Sequence, residues 1–78
     1  MIVYNVTVTV DTSIKSEWLS WMKQKHIPEV LNTGLFIEAQ LKKVISDNGN
    51  TFAISYSCAT IQDLHKYQDN FASQIKLN

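Results

Sequence analysis

The sequence has 78 residues, with seven lysines, no arginine and seven acidic residues, so it carries no formal net charge at pH 7. A chain of this length forms one domain (1–78) that buries only about 60% of the surface its unfolded form exposes, so we expect a partner subunit to add stability. The absence of a basic patch argues against nucleic acid or membrane partners, and the single Cys58 excludes an internal disulfide and a multi-cysteine zinc site.

The chain opens with "MIVYNVTVTV", in which apolar residues alternate with other residues. This alternation predicts a β-strand, with Val3, Asn5, Thr7 and Thr9 on one face and the more apolar residues on the other. The segment lacks the basic leader of a signal peptide, and the sequence has no apolar run near 18 residues. We therefore expect a soluble, cytoplasmic protein.

A helix is predicted next, from about Ser13 to Lys25, with both tryptophans on its buried arc. The stretch "HIPEVLNTG" then predicts a corner, because Pro28 disfavours a helical conformation in the residue before it and Gly34 suits a left-handed stop. At the end of the first helix, His26 is expected to lie near free carbonyl groups.

Alternation returns from Leu35 to Ser46 and again from Thr51 to Ala59, and the intervening "DNGN" predicts a hairpin turn. Cys58 falls on the apolar face of the returning strand, where we expect an unreactive core thiol. A last helix follows, with Thr60 and Asp63 approximating a capping box. Its apolar stripe consists of Ile61, Leu64, Tyr67, Phe71, Ala72 and Ile75.

This order of elements predicts an α+β fold with an antiparallel sheet and the helices on one face. The arrangement is ferredoxin-like, βαββα, and because the sequence ends at Asn78, directly after the last helix, we expect its final strand to be missing. The first strand would then keep an open edge.

The second face of the predicted sheet mixes small polar residues with a few apolar ones. Such a mixture suits either a solvated face or a wet interface, and the short chain favours face-to-face pairing of two subunits. We therefore expect a homodimer formed through the polar sheet face. The sequence leaves open whether a small-molecule ligand binds between the two sheets.

The runs "MIVYNVTVTV" and "EWLSWMKQKHIPEVLNTGLF" resemble a family of small bacterial proteins known only as a domain of unknown function. The likeness covers essentially all 78 residues. It implies a fold of the dimeric α/β-barrel type, in which two ferredoxin-like sheets pair face to face, as in the antibiotic-biosynthesis monooxygenases. It implies no activity. Family members usually continue into a further strand, and this chain departs from that: either the sequence is truncated or this member lacks the strand.

Within that wider superfamily, monooxygenases and haem-degrading members resemble this chain in carrying an asparagine on the first strand, here Asn5. Haem-degrading members also use a histidine on the second helix, loosely matched by His65, and a tryptophan on the third strand, which this chain lacks. The candidate pocket consists of Asn5, Thr7, Glu38, Gln40, Ser55, Ser57 and His65.

No residue pattern amounts to a catalytic signature, a cofactor motif or a metal site, since the two histidines lack ligand spacing. We therefore expect a homodimeric binding or structural module with no assignable catalytic motif. The alternative is a monooxygenase-like or haem-binding enzyme with its pocket between the paired sheets. A third possibility is a subunit that completes its sheet with a strand from another protein.

Overall fold

The computed structural model describes residues 1–45, 49–73 and 75. Within these residues, three strands form one antiparallel sheet: β1 (Ile2–Thr9), β2 (Glu38–Lys43) and β3 (Thr51–Cys58), in the order β1-β3-β2. The predicted alternation of β1 and β3 is confirmed. The second strand is shorter than predicted. Alternation from Leu35 would place Phe36 on the polar face with Glu38 and Ile37 on the apolar face, whereas Phe36 is buried among aromatic residues and Ile37 is 64% exposed.

A long helical segment follows β1; it contains the helix predicted from about Ser13 to Lys25, which is confirmed, and continues beyond it. A 3-10 turn (Thr12–Ile14) leads into helix α1 (Lys15–Trp21), a π-helical segment (Met22–His26) and helix α2 (Ile27–Asn32). Both His26 and Ile27 have right-handed helical backbone angles. The predicted corner at the proline is therefore wrong, and the chain stays helical through it.

The π-helical segment explains how the helix tolerates its proline. In an α-helix the ring of Pro28 would clash with the carbonyl group four residues earlier, and its missing N–H would leave that carbonyl unpaired. Here the N–H of Ile27 instead donates to the carbonyl of Met22, five residues back. This wider turn changes the hydrogen-bond register immediately before the proline.

The helix layer packs on one face of the sheet. Trp18 contacts Phe52 of β3 with ring centroids 5.3 Å apart, and Tyr67 of helix α3 (Ile61–Asn70) lies 6.3 Å from Tyr4 of β1. The most deeply buried side chains come from both layers: Met22, Val30, Ile54 and Cys58. Burial of Cys58 agrees with the prediction of a core thiol.

Two predicted turn and cap features are confirmed. The hydroxyl of Thr60 accepts from the backbone N–H of Asp63 at 3.3 Å and caps α3. Gly34 has φ of +78° after α2. The hairpin turn predicted for Asp47 to Asn50 falls partly outside the described residues, although Gly49 has φ of +69°.

The architecture is thus α+β, with an open three-stranded antiparallel sheet and helices on one face, and it is compatible with a ferredoxin-like fold. Within the described residues, no helix combines the length and the apolar character that crossing a bilayer requires.

Candidate functional site

The candidate site is the sheet face that the helices leave uncovered, called here the open face. The strand register places its side chains in three rows across the sheet. The central row joins Asn5 of β1, Ser55 of β3 and Gln40 of β2. The flanking rows are Val3–Ser57–Glu38 on one side and Thr7–Ala53–Lys42 on the other. Six of the seven predicted pocket residues therefore lie together on this face.

Hydrogen bonds link several polar side chains of β1 and β3 on this face. The hydroxyl of Ser55 donates to Oδ1 of Asn5 at 2.9 Å, and Nδ2 of Asn5 lies 3.5 Å from Oγ1 of Thr7. The hydroxyls of Thr9 and Thr51 are 3.0 Å apart. Because cross-strand pairs of this kind fix side-chain rotamers, the face presents a partly preorganised set of amide and hydroxyl groups.

Exposure differs between the middle and the edges of the open face. All four β1 residues on this face are exposed, as are those of β2, whereas Ser57 on the central strand is only 7% exposed. Two apolar side chains beside one end of the face are well exposed, Val3 at 58% and Ile37 at 64%. The face is therefore neither purely polar nor apolar.

The seventh predicted pocket residue, His65, lies elsewhere. It is an exposed residue of α3, in the layer that packs against Tyr4 on the other side of the sheet. Asn5 points to the opposite face by strand alternation. The structure therefore does not bring His65 and Asn5 into one cavity of this chain. Across residues 1–45, 49–73 and 75, no three His, Cys, Asp or Glu side chains are grouped as metal ligands would be.

The helix layer holds a second polar feature that the sequence prediction misplaced. His26 is 6% exposed, and its ring stacks on that of Trp21 with centroids 4.8 Å apart. Burial lowers the pKa of His26, and the nearby carboxylate of Glu29 opposes this only in part. A neutral imidazole is favoured, and His26 lies within a continuous helical segment rather than at the predicted helix end with free carbonyl groups.

Trp21 is also less buried than predicted. It lines two shallow grooves on the outer side of the helical segment, one with Ile14, Glu17 and Trp18, and one with polar residues of the next turn. The sequence contains a signal for the π-helical segment. The buried residues recur at every fourth position: Trp18, Met22, His26 and Val30. In a regular α-helix that repeat would drift by about 40° with each step.

The tyrosines of the core offer no general base. Burial, assisted by neighbouring tyrosines, raises the pKa of Tyr56 and of Tyr67. Both phenols therefore stay protonated at neutral pH. They lie with Phe36 in an aromatic cluster on the helix side of the sheet, away from the open face.

Comparison with known proteins supports the family and not an activity. No curated protein and no solved structure gives a significant match. The predicted likeness to an uncharacterised domain family is confirmed, since the family model described as Domain of unknown function (DUF4286) matches residues 1–78, and the chain belongs to that family.

Proposed function

We propose that this chain is a cytoplasmic, homodimeric binding or structural module, and that the open face is the interface between two copies. The observation that carries the proposal is the composition of this face. Of the side chains in its three rows, only Glu38 and Lys42 are charged, and the others are small polar or apolar residues. A sheet face built for water alone is normally richer in charged side chains.

The chemistry of the face suits an interface that retains water. Its hydroxyl and amide groups can pair across an interface directly or through bridging water molecules. At one end, the exposed Val3 and Ile37 supply apolar surface that a second subunit would cover. Packed sheets lie about 10 Å apart, so short side chains such as Ser55 would leave room for water between them.

The size of the face sets the expected affinity. Three strands of six to eight residues, about 4.8 Å apart, present roughly 400 Å² per subunit. A dimer through this face alone would bury less than the roughly 1,200–2,000 Å² of stable interfaces. We therefore expect a dissociation constant in the micromolar range unless neighbouring segments extend the contact.

Native mass spectrometry, over protein concentrations spanning that range, tests the proposal. We expect a dimer for the wild-type chain, and a Ser55→Lys variant should be monomeric, because it places two like charges near the centre of the interface. A Ser20→Lys variant is the matched control, since Ser20 is exposed on α1 and distant from the open face.

Two results would argue against the module as proposed. A wild-type chain that stays monomeric at every concentration would show that the open face is not a dimer interface. A dimer that retains an organic molecule or haem would favour the enzyme alternative, with a ligand between the sheets.

A further inference from the structure

We infer that the two copies pair about a two-fold axis that crosses the strands along the row Asn5–Ser55–Gln40, which brings Glu38 of each copy opposite Lys42 of the other. This inference rests on the proposed homodimer and specifies its geometry. It follows from the register of the sheet and from the positions of the two charges on the open face.

The two charges lie at opposite ends of one strand. Glu38, Gln40 and Lys42 alternate along β2 on the open face, and all three are exposed. Four residues of strand separate Glu38 from Lys42 by about 13 Å, so they do not pair with each other within one subunit.

Neighbouring strands do not compensate these charges. The register places Ser57 beside Glu38 and Ala53 beside Lys42 on β3, and neither residue is charged. The corresponding positions of β1 are Val3 and Thr7, which are uncharged as well. The open face therefore carries one negative and one positive end on β2, without an opposite charge in either row.

A two-fold axis along the central row would exchange the two flanking rows. The row containing Glu38 in one subunit would face the row containing Lys42 in the other, and symmetry would repeat the contact. Aligned sheets cross at about 30°, which shifts these positions by only a few ångströms. Glutamate and lysine side chains are long enough to span that displacement across a gap of about 10 Å.

The central row is suited to lie on such an axis. A residue on a two-fold axis faces its own copy, so a charged residue there would meet a like charge. Asn5, Ser55 and Gln40 each carry both hydrogen-bond donors and acceptors and can pair with an identical group. The neutral residues thus occupy the positions where self-pairing is required, and the opposite charges lie on either side.

The other simple arrangement fits less well. An axis parallel to the strands, along β3, would place β2 of one subunit over β1 of the other. Glu38 would then face Val3, and Lys42 would face Thr7, so both charges would be covered without compensation. Covering charges in this way is costly, and this difference selects the axis across the strands.

Exchange of the two charges tests the geometry. In Glu38→Lys both contacts become lysine against lysine, and in Lys42→Glu both become glutamate against glutamate. We expect each variant alone to dimerise at least about tenfold more weakly than wild type. An equimolar mixture of the two should form a heterodimer of near wild-type affinity, because each contact again joins opposite charges.

Sedimentation velocity gives the dissociation constants, and native mass spectrometry with one variant isotope-labelled identifies the heterodimer. Lys43→Glu is the matched control, since it makes the same change on the neighbouring residue of β2, which points to the other side of the sheet. Circular dichroism verifies that each variant is folded.

The outcomes separate the geometry from the homodimer itself. A dimeric wild type whose affinity is unchanged by both exchanges, or a mixture that does not recover affinity, would overturn the two-fold arrangement and leave the homodimer intact. A monomeric wild type would overturn both. If each variant by itself dimerises weakly and only their mixture recovers affinity, Glu38 and Lys42 face each other across the interface.

Discussion

His26 is a histidine held inside the helix layer, where burial disfavours its charged form. Its ring stacks on Trp21, and its pKa lies below the ordinary value of 6.5. The unfolded chain therefore binds a proton at a higher pH than the folded chain does. Stability from this residue is fully present above pH 6.5 and is lost as the pH falls through 6.5 toward the lower folded-state pKa.

We expect the free energy of unfolding to fall between pH 7 and pH 5.5, and to fall less in a His26→Phe variant, which keeps an aromatic ring against Trp21. Urea unfolding followed by circular dichroism at several pH values measures both slopes. His65→Gln is the control, because it removes the exposed histidine of α3. Equal slopes for wild type and His26→Phe would show that His26 does not contribute.

Gly34 is a second residue whose role depends on its local backbone. Its φ of +78° is accessible to glycine at little cost, and a Cβ added there would meet no atom within 4 Å. We expect Gly34→Ala to lower the free energy of unfolding by about 1–2 kcal/mol through backbone strain alone. Gly34→Asn should lose less, since asparagine tolerates this conformation, and urea titrations that rank the two variants oppositely would contradict this explanation.

At the scale of elements, the helical segment from Lys15 to Asn32 shows how burial and backbone geometry agree. In a regular α-helix each step of four residues rotates by about 400°, which is about 40° more than a full turn. The three steps from Trp18 through Met22 and His26 to Val30 would therefore spread these buried residues over about 120°. A π-helical segment holds more residues per turn and returns them to one side. Its position directly before Pro28 also avoids the clash that an α-helix would impose.

Removing one residue from the π-helical segment tests this explanation. Deletion of the exposed Gln24 changes the spacing of the buried residues to four, three and four, which a regular α-helix accommodates. The deletion alone leaves Pro28 inside an α-helix, so we expect a loss of about 3 kcal/mol. Adding Pro28→Ala to the deletion should recover most of that loss.

The single variant Pro28→Ala completes the cycle. We expect it to change stability by less than about 1 kcal/mol, because the buried residues still require the wider turn. Urea unfolding of the four proteins gives the coupling between the two changes. Additive effects would mean that the proline and the extra residue do not depend on each other.

The elements with a simple period could be predicted from the sequence, including the helix up to Lys25, whereas the continuation of that helix past Pro28 could not. The two-residue alternation in β1 and β3 has one structural solution, and Thr60 and Gly34 have local roles that do not depend on packing. The repeat of four around His26 is a helical spacing, but in a regular α-helix it drifts by about 40° with each step. Pro28 at that point predicts a break in the helix. The stabilisation that a continuous helix gains from its buried residues is visible only in the packed core.

One part of the candidate site could be predicted from the sequence, because it also depends on strand alternation. Strand alternation placed Asn5, Gln40 and Ser55 on one face, and the observed register aligns them in a single row. His65 was joined to them only by resemblance to other proteins. The sheet separates them, and which side of a sheet a helix covers is not fixed by the period of its own residues.

At the scale of the whole molecule, a chain of 78 residues has little stability to spare, and subunit pairing would add to it. If folding and pairing are coupled, the melting temperature depends on protein concentration. Above the dissociation constant, a hundredfold increase in concentration stabilises each subunit by about 1.4 kcal/mol. For a domain of this size, we expect the melting temperature to rise by about 5–10 °C over that range.

Differential scanning calorimetry across the hundredfold range measures this dependence. The Ser55→Lys variant should have the same melting temperature at every concentration. Its two like charges would prevent pairing, while its core is unchanged. A wild-type melting temperature that does not move would contradict pairing through the open face. The same shift in both proteins would place the interface elsewhere. The surface to examine would then be the exposed edge of β1, where no strand pairs among the described residues.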